Sequence, residues 1–140
     1  MDYDSIIKGL PAVLCAAFVA VLFIQSGLDK AFDWGGNLGF LKEHFAKTFL
    51  SPMVPLMLAT ITLMEIATGV LAAVGVVYFF LTGSLVLAFY SSVLGAASIL
   101  GLFFGQRVAK DYPGAAVLVP YFILLILMMV LSSPRFLRVF

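Results

Sequence analysis

The residue in this sequence best placed for chemistry is Glu65, because it stands in a long apolar stretch that begins near Pro52. At 1.5 Å per residue, a helix starting there carries Glu65 roughly 16 to 18 Å inward, close to the middle of a membrane. An acidic or basic residue at that depth costs about 2.5 to 3.5 kcal/mol on insertion scales. Its side chain must therefore face other helices and be either protonated or paired. Thr62, Glu65, Thr68, Gly69 and Ala72 share one helix face, a polar and narrow surface suited to packing against a neighbouring helix. Tyr90, Ser91 and Ser98, on the next apolar segment, are the natural hydrogen-bond partners. Two readings of this intramembrane polar site stay open: a neutral carboxylic acid joining two helices, which we favour, or a proton relay or contact to a quinone or lipid head.

A second set of polar residues sits where the apolar segments end. Gln25 and Asp29 are four apart on one helix face, and Lys30 can hold its charge at the interface with its stem along the apolar helix. Lys30 would pair with Glu65 if the helices tilt suitably, or with Asp111 across the loops, forming a rim cluster with Arg107. The run Gln106-Arg107-Val108-Ala109-Lys110-Asp111-Tyr112-Pro113 is the densest in charge. Asp111 suits the positive end of the helix that follows, and the cluster could equally bind an anionic lipid head. Nothing here resembles a catalytic triad, a nucleotide loop or a metal cage. His44, the one histidine, has only the adjacent Glu43 nearby in sequence and reads as solvated or interfacial rather than as a ligand.

Four apolar segments must position these groups. They cover about 6–28, 53–74, 82–104 and 113–131, each close to the 20 or so residues that cross a bilayer. Ser51 can cap the second segment and Pro52 suits its first turn. Between 75 and 83 there is no charge, which predicts a tight turn partly sunk in the membrane. The third segment carries small residues three or four apart, Gly95, Gly101 and Gly105 among them, and the pattern reads as a packing stripe. Pro120 lies inside the fourth segment, where a kink is expected. Between segments one and two, Leu38, Leu41, Phe45 and Phe49 recur at helical spacing opposite Glu43, His44 and Lys47. This reads as a short amphipathic helix over about 38–49 on the membrane surface, anchored by Trp34 and preceded by the flexible Gly35-Gly36 pair.

Composition agrees with this class. Of 140 residues, 64% are hydrophobic and 11% charged, with a mean hydropathy of +1.18, far from the soluble average of roughly one-quarter charged. Eight Lys and Arg against seven Asp and Glu give a net charge of +1, so nucleic acid is not an expected partner. The single cysteine, Cys15, reads as a buried inert thiol. The acidic start Met1-Asp2-Tyr3-Asp4 is unlike a secretory signal, so the first apolar segment is expected to remain as a helix. Lys8, Arg135 and Arg138 fall on one side, and Lys30, Lys42, Lys47, Arg107 and Lys110 on the other. The bias puts the two charged loops in the cytoplasm.

Three stretches together resemble the DoxX family of small bacterial membrane proteins: Phe23-Ile24-Gln25-Ser26-Gly27-Leu28-Asp29-Lys30, then Glu65-Ile66-Ala67-Thr68-Gly69, then Phe104-Gly105-Gln106-Arg107 leading to Asp111-Tyr112-Pro113-Gly114-Ala115-Ala116. The likeness extends over essentially the whole chain as one domain, 1–140. It implies a compact all-α, integral membrane four-helix bundle, with Gly27, Lys30, Glu65, Gly69, Arg107 and Asp111 at signature positions. Pro113 stands where other small residues are common in the family. The resemblance further implies a bacterial cytoplasmic (inner) membrane protein associated with membrane redox assemblies, surrounded by lipid and by other membrane-protein subunits. One His and one Cys cannot hold a haem or an iron–sulfur centre. The expected role is therefore that of an accessory or structural subunit without activity of its own. The alternative is a quinone- or lipid-interacting oxidoreductase subunit in which Glu65 handles protons.

Overall fold

The computed structural model describes residues 2–134. Arg135 and Arg138, used in the orientation argument, lie outside the described residues. Five helices follow one another: α1 (Tyr3–Phe32), α2 (Trp34–His44), α3 (Val54–Thr82), α4 (Val86–Val108) and α5 (Tyr112–Ser132). Four of them, all but α2, are long and apolar enough to cross a membrane. The chain is an all-α four-helix bundle, α1 packing along α3, α3 along α4 and α4 along α5, which closes against α1.

The transmembrane elements run longer than the apolar stretches suggest, for identifiable reasons. Asp2 accepts a hydrogen bond from the Ser5 amide at 2.9 Å and starts α1 at Tyr3. Helix α3 passes straight through the expected turn at 75–83. Gly75 is a contact glycine, where an added Cβ would lie 3.0 Å from the Ala88 backbone nitrogen. The chain turns instead at Gly83, whose φ of 77° ends the helix in the left-handed region. At its other end, Pro52 sits in a 3-10 turn over Ser51–Met53, and α3 proper begins at Val54. Helix α5 continues through Pro120 to Ser132.

The predicted interfacial helix exists with shifted bounds. It spans Trp34–His44 rather than about 38–49, and the Gly35-Gly36 pair lies inside its first turn. A Cβ at Gly36 would collide with the Asp33 carboxylate, 2.5 Å away, so glycine here lets that side chain lie against the helix start. Beyond His44 the backbone turns, and Thr48 bonds the Phe45 carbonyl and the Leu50 amide through its hydroxyl. Leu38, Leu41 and Phe45 face the bundle in a small cluster with Leu50 and Val54. Phe49, predicted on the same face, is exposed because the helix has already ended.

Helix register controls depth. Gly27 lies against the Ile66 amide and Gly69 against that of Ile24, so α1 and α3 run antiparallel with residue 27 level with 66. Phe32, the end of α1, is then level with Ile61, about 10 Å short of the start of α3 at Val54. The notch left beyond α1 is spanned by α2.

Candidate functional site

Glu65 is buried and faces α1. Lys30 Nζ lies 3.1 Å from its Oε2 and 3.4 Å from Oε1. Ser26, one turn before Lys30 on the same face, accepts from Lys30 at 3.0 Å and donates to Glu65 Oε2 at 3.1 Å. The three groups form a closed triangle of charge-assisted hydrogen bonds, shorter and stronger than neutral ones. The close approach that permits it comes from Gly27: an added Cβ there would fall 2.6 Å from the Ile66 side chain. Sequence reasoning foresaw the Lys30–Glu65 pairing as one option and missed Ser26, although its i, i+4 spacing to Lys30 carried the signal.

The expected partners on α4 do not reach the carboxylate. The Ser91 hydroxyl donates to the Thr68 carbonyl at 2.8 Å, Ser98 donates to its own helix at Leu94, and Tyr90 is exposed on the outer surface. Thr62 and Thr68 also return their hydroxyls to their own helix, at Leu58 and Met64. The reason is rotational: Thr68 faces α4, whereas Glu65 and Gly69 face α1. Gly69 packs on Ile24, not on the α4 stripe as expected, while Gly95 sits against Leu125 and Thr68.

The rim residues also separate. Gln25 Nε2 donates to Asp29 at 2.6 Å as the four-residue spacing suggested, but both point away from the bundle. The Arg107 guanidinium stacks over the Tyr112 ring, 4.5 Å from its centroid. Asp111 caps α5 by accepting from the Gly114 amide at 3.0 Å. No single cluster joins Lys30, Arg107 and Asp111, because the register puts Arg107 level with about residue 54 of α3 and Lys30 level with 63, roughly 13 Å deeper along the bundle.

His44 is not solvated on the surface. It turns toward α4, where its Nε2 lies 2.7 Å from Gln106 Oε1 and 3.6 Å from Asp111 Oδ2. Phe40 stacks on the ring and Phe45 meets it edge-on. Between this upper tier and the Lys30 tier lies a chamber of about 260 Å³, with Lys30 at depth, His44, Asn37 and Gln106 toward the rim, and Phe40 and Phe45 among its walls. A mostly apolar cavity with a few converging polar groups is the general form of a small-molecule site. Cys15 is half-buried, away from this chamber, and among the described residues no group of three or more His, Cys, Asp or Glu stands close enough to hold a metal.

Comparison with protein-family profiles, with curated proteins and with solved structures returns no match.

Proposed function

We propose that this chain is a DoxX-like accessory subunit of a larger redox assembly in the bacterial cytoplasmic membrane, and that it holds a quinone- or lipid-type amphiphile beside the Lys30–Glu65 pair. The observation that carries the reading is the position of Lys30: it is tied to Glu65 and still lines a chamber with aromatic walls. Ion pairs that serve only to join helices have no need of an adjoining cavity, and ionisable residues within membrane helices commonly mark ligand or proton pathways. The accessory role draws on the outward-facing Gln25–Asp29 pair, a polar spot on the outer surface of α1 suited to a neighbouring subunit.

Gentle detergent extraction tests both parts. Stoichiometric large partners should co-purify, and extraction of the bundle with organic solvent should release a quinone or lipid that a Lys30→Met variant retains in lower amount. Equal retention by the variant would refute the site.

A second reading has its own support: the Ser26 hydroxyl bridges Lys30 and Glu65, a hydrogen-bonded path for a proton between the two. That reading requires activity or quinone binding in the isolated chain that Glu65→Gln abolishes.

A further inference from the structure

The chamber has a neighbour. Outside α3 and α4 runs an apolar groove of about 310 Å³, passing Leu56, Thr60, Met64 and Phe104. Met57, Ile61, Gly101 and Gly105 line both spaces, so the two meet across a thin partition between the helices. Gly101 sits at that partition under little constraint. An added Cβ there would touch only Ile61 Cδ1, at 3.9 Å, whereas one at Gly69 or Gly95 would collide with the opposing helix. Gly101 thus does not bring two helices together; the missing side chain leaves the partition between chamber and groove thin.

We infer that Gly101 marks a lateral portal through which an amphiphile enters from the acyl-chain region, leaving its tail in the α3–α4 groove and seating an uncharged, hydrogen-bond-accepting head at Lys30. This rests on the amphiphile reading above and specifies its route and head chemistry. A chamber of about 260 Å³ falls below the 300 Å³ or so of a site that encloses a whole drug-sized ligand, so it suits a head whose tail lies elsewhere. The groove supplies that place, with exposed Leu56 and Phe104 facing outward.

The head chemistry follows from the charges already paired. Glu65 answers the Lys30 charge at 3.1 Å, and Asp111 stands 3.6 Å from His44. The lining therefore has no surplus positive charge to offer an anion. Lys30 spends two of its three N–H groups on Ser26 and Glu65 and has one left for the chamber. A carbonyl oxygen, from a quinone ring or an ester, matches that donor without upsetting the charge balance.

The test uses the full chain in nanodiscs and scintillation proximity with three tritiated probes: 1-monooleoylglycerol, its 3-phosphate, and a benzoquinone with a decyl tail. Monooleoylglycerol or the decyl-benzoquinone should bind at least tenfold more tightly than the phosphate, and whichever of the two binds identifies the source of the carbonyl. Gly101→Leu should weaken the tailed probe at least tenfold more than it weakens tail-less methyl-benzoquinone, or free glycerol acetate if the ester is preferred. Ile61→Phe, which narrows the same partition from α3, should act likewise, so the conclusion does not rest on one variant's folding. Equal or tighter binding of the phosphate would overturn the uncharged head. Unchanged tailed-probe affinity in both variants would overturn the portal and leave the amphiphile site standing, whereas failure of all three probes on the wild-type chain would overturn site and portal together.

Discussion

Lys30 and Glu65 lie on different helices, 35 residues apart in sequence, and their charged atoms come within 3.1 Å at a depth where α1 is about to end. The pair ties the end of α1 to the middle of α3, and its two members are unequally sheltered, with 4% of the Glu65 side chain exposed against 21% for Lys30. Removing the lysine alone strands a buried carboxylate, for which the cost of breaking a buried pair is on the order of 3 to 5 kcal/mol. Lys30→Met should therefore lower stability by about that amount in detergent-mediated unfolding. Glu65→Gln should cost less, because an amide oxygen still accepts from Ser26. The double variant Lys30→Met with Glu65→Gln, which leaves no unpaired charge, should recover most of the loss. A strictly additive double variant would show that the two residues act independently.

Glycines that look alike in sequence should behave differently. Gly69→Ala drives a Cβ to 2.7 Å from the Ile24 backbone nitrogen, and backbone cannot move aside as a flexible side chain can. A loss of about 1 to 3 kcal/mol is expected, the usual range for overpacking. Gly101→Ala meets only a distant methyl and should stay within about 0.5 kcal/mol of the parent. Thermal unfolding of the two variants side by side checks this, and equal losses would contradict the distinction between a packing and a spacing glycine.

These glycines also show how far the sequence could be read. Apolar length alone made four crossing helices legible, since burying that much hydrocarbon leaves few alternatives. Glu65 stood out for the same reason: one carboxylate in such a stretch demands a partner. Its partner was harder, because Thr62, Glu65, Thr68 and Gly69 look like one face on a helical wheel, while a helix with neighbours on two sides divides that face between them. Thr68 went to α4, and Glu65 and Gly69 to α1. Depth was invisible too. The 10 Å stagger between the end of α1 and the start of α3 comes from the fit of Gly27 on Ile66, and it is this offset that separates Lys30 from Arg107.

His44 holds α2 over the chamber. Helix α2 has no buried residue of its own, and the polar contact of His44 with Gln106 joins it to α4. His44→Ala should leave the four long helices intact but loosen α2 and the turn after it, freeing the backbone around the already exposed Lys47 for trypsin. Cleavage there should speed up several-fold, with circular dichroism unchanged and thermal stability lowered by about 1 kcal/mol, the typical worth of one hydrogen bond. Gln106→Leu should reproduce the effect. Unchanged cleavage in both variants would mean that Leu38, Leu41 and Phe45 hold α2 unaided.

Asp29 and Gln25 offer the opposite case, a polar contact that the bundle does not need. They bond to each other at 2.6 Å on the exposed side of α1, beside an apolar groove along Val21, Ile24 and Phe32. Within the isolated chain an exposed helical pair of this kind contributes only about 0.2 to 0.5 kcal/mol, so the double change Gln25→Leu with Asp29→Leu should leave the unfolding temperature almost unmoved. If the pair instead meets a donor on a neighbouring subunit, the same change should reduce the recovery of co-extracted partners severalfold while Gly101→Ala, between α3 and α4, does not. Quantitative mass spectrometry of gently extracted complexes from the two variants measures the difference. Undiminished partner recovery with Leu at both positions would remove this face of α1 from the assembly contact and leave Gln25 and Asp29 as groups that only anchor the helix end.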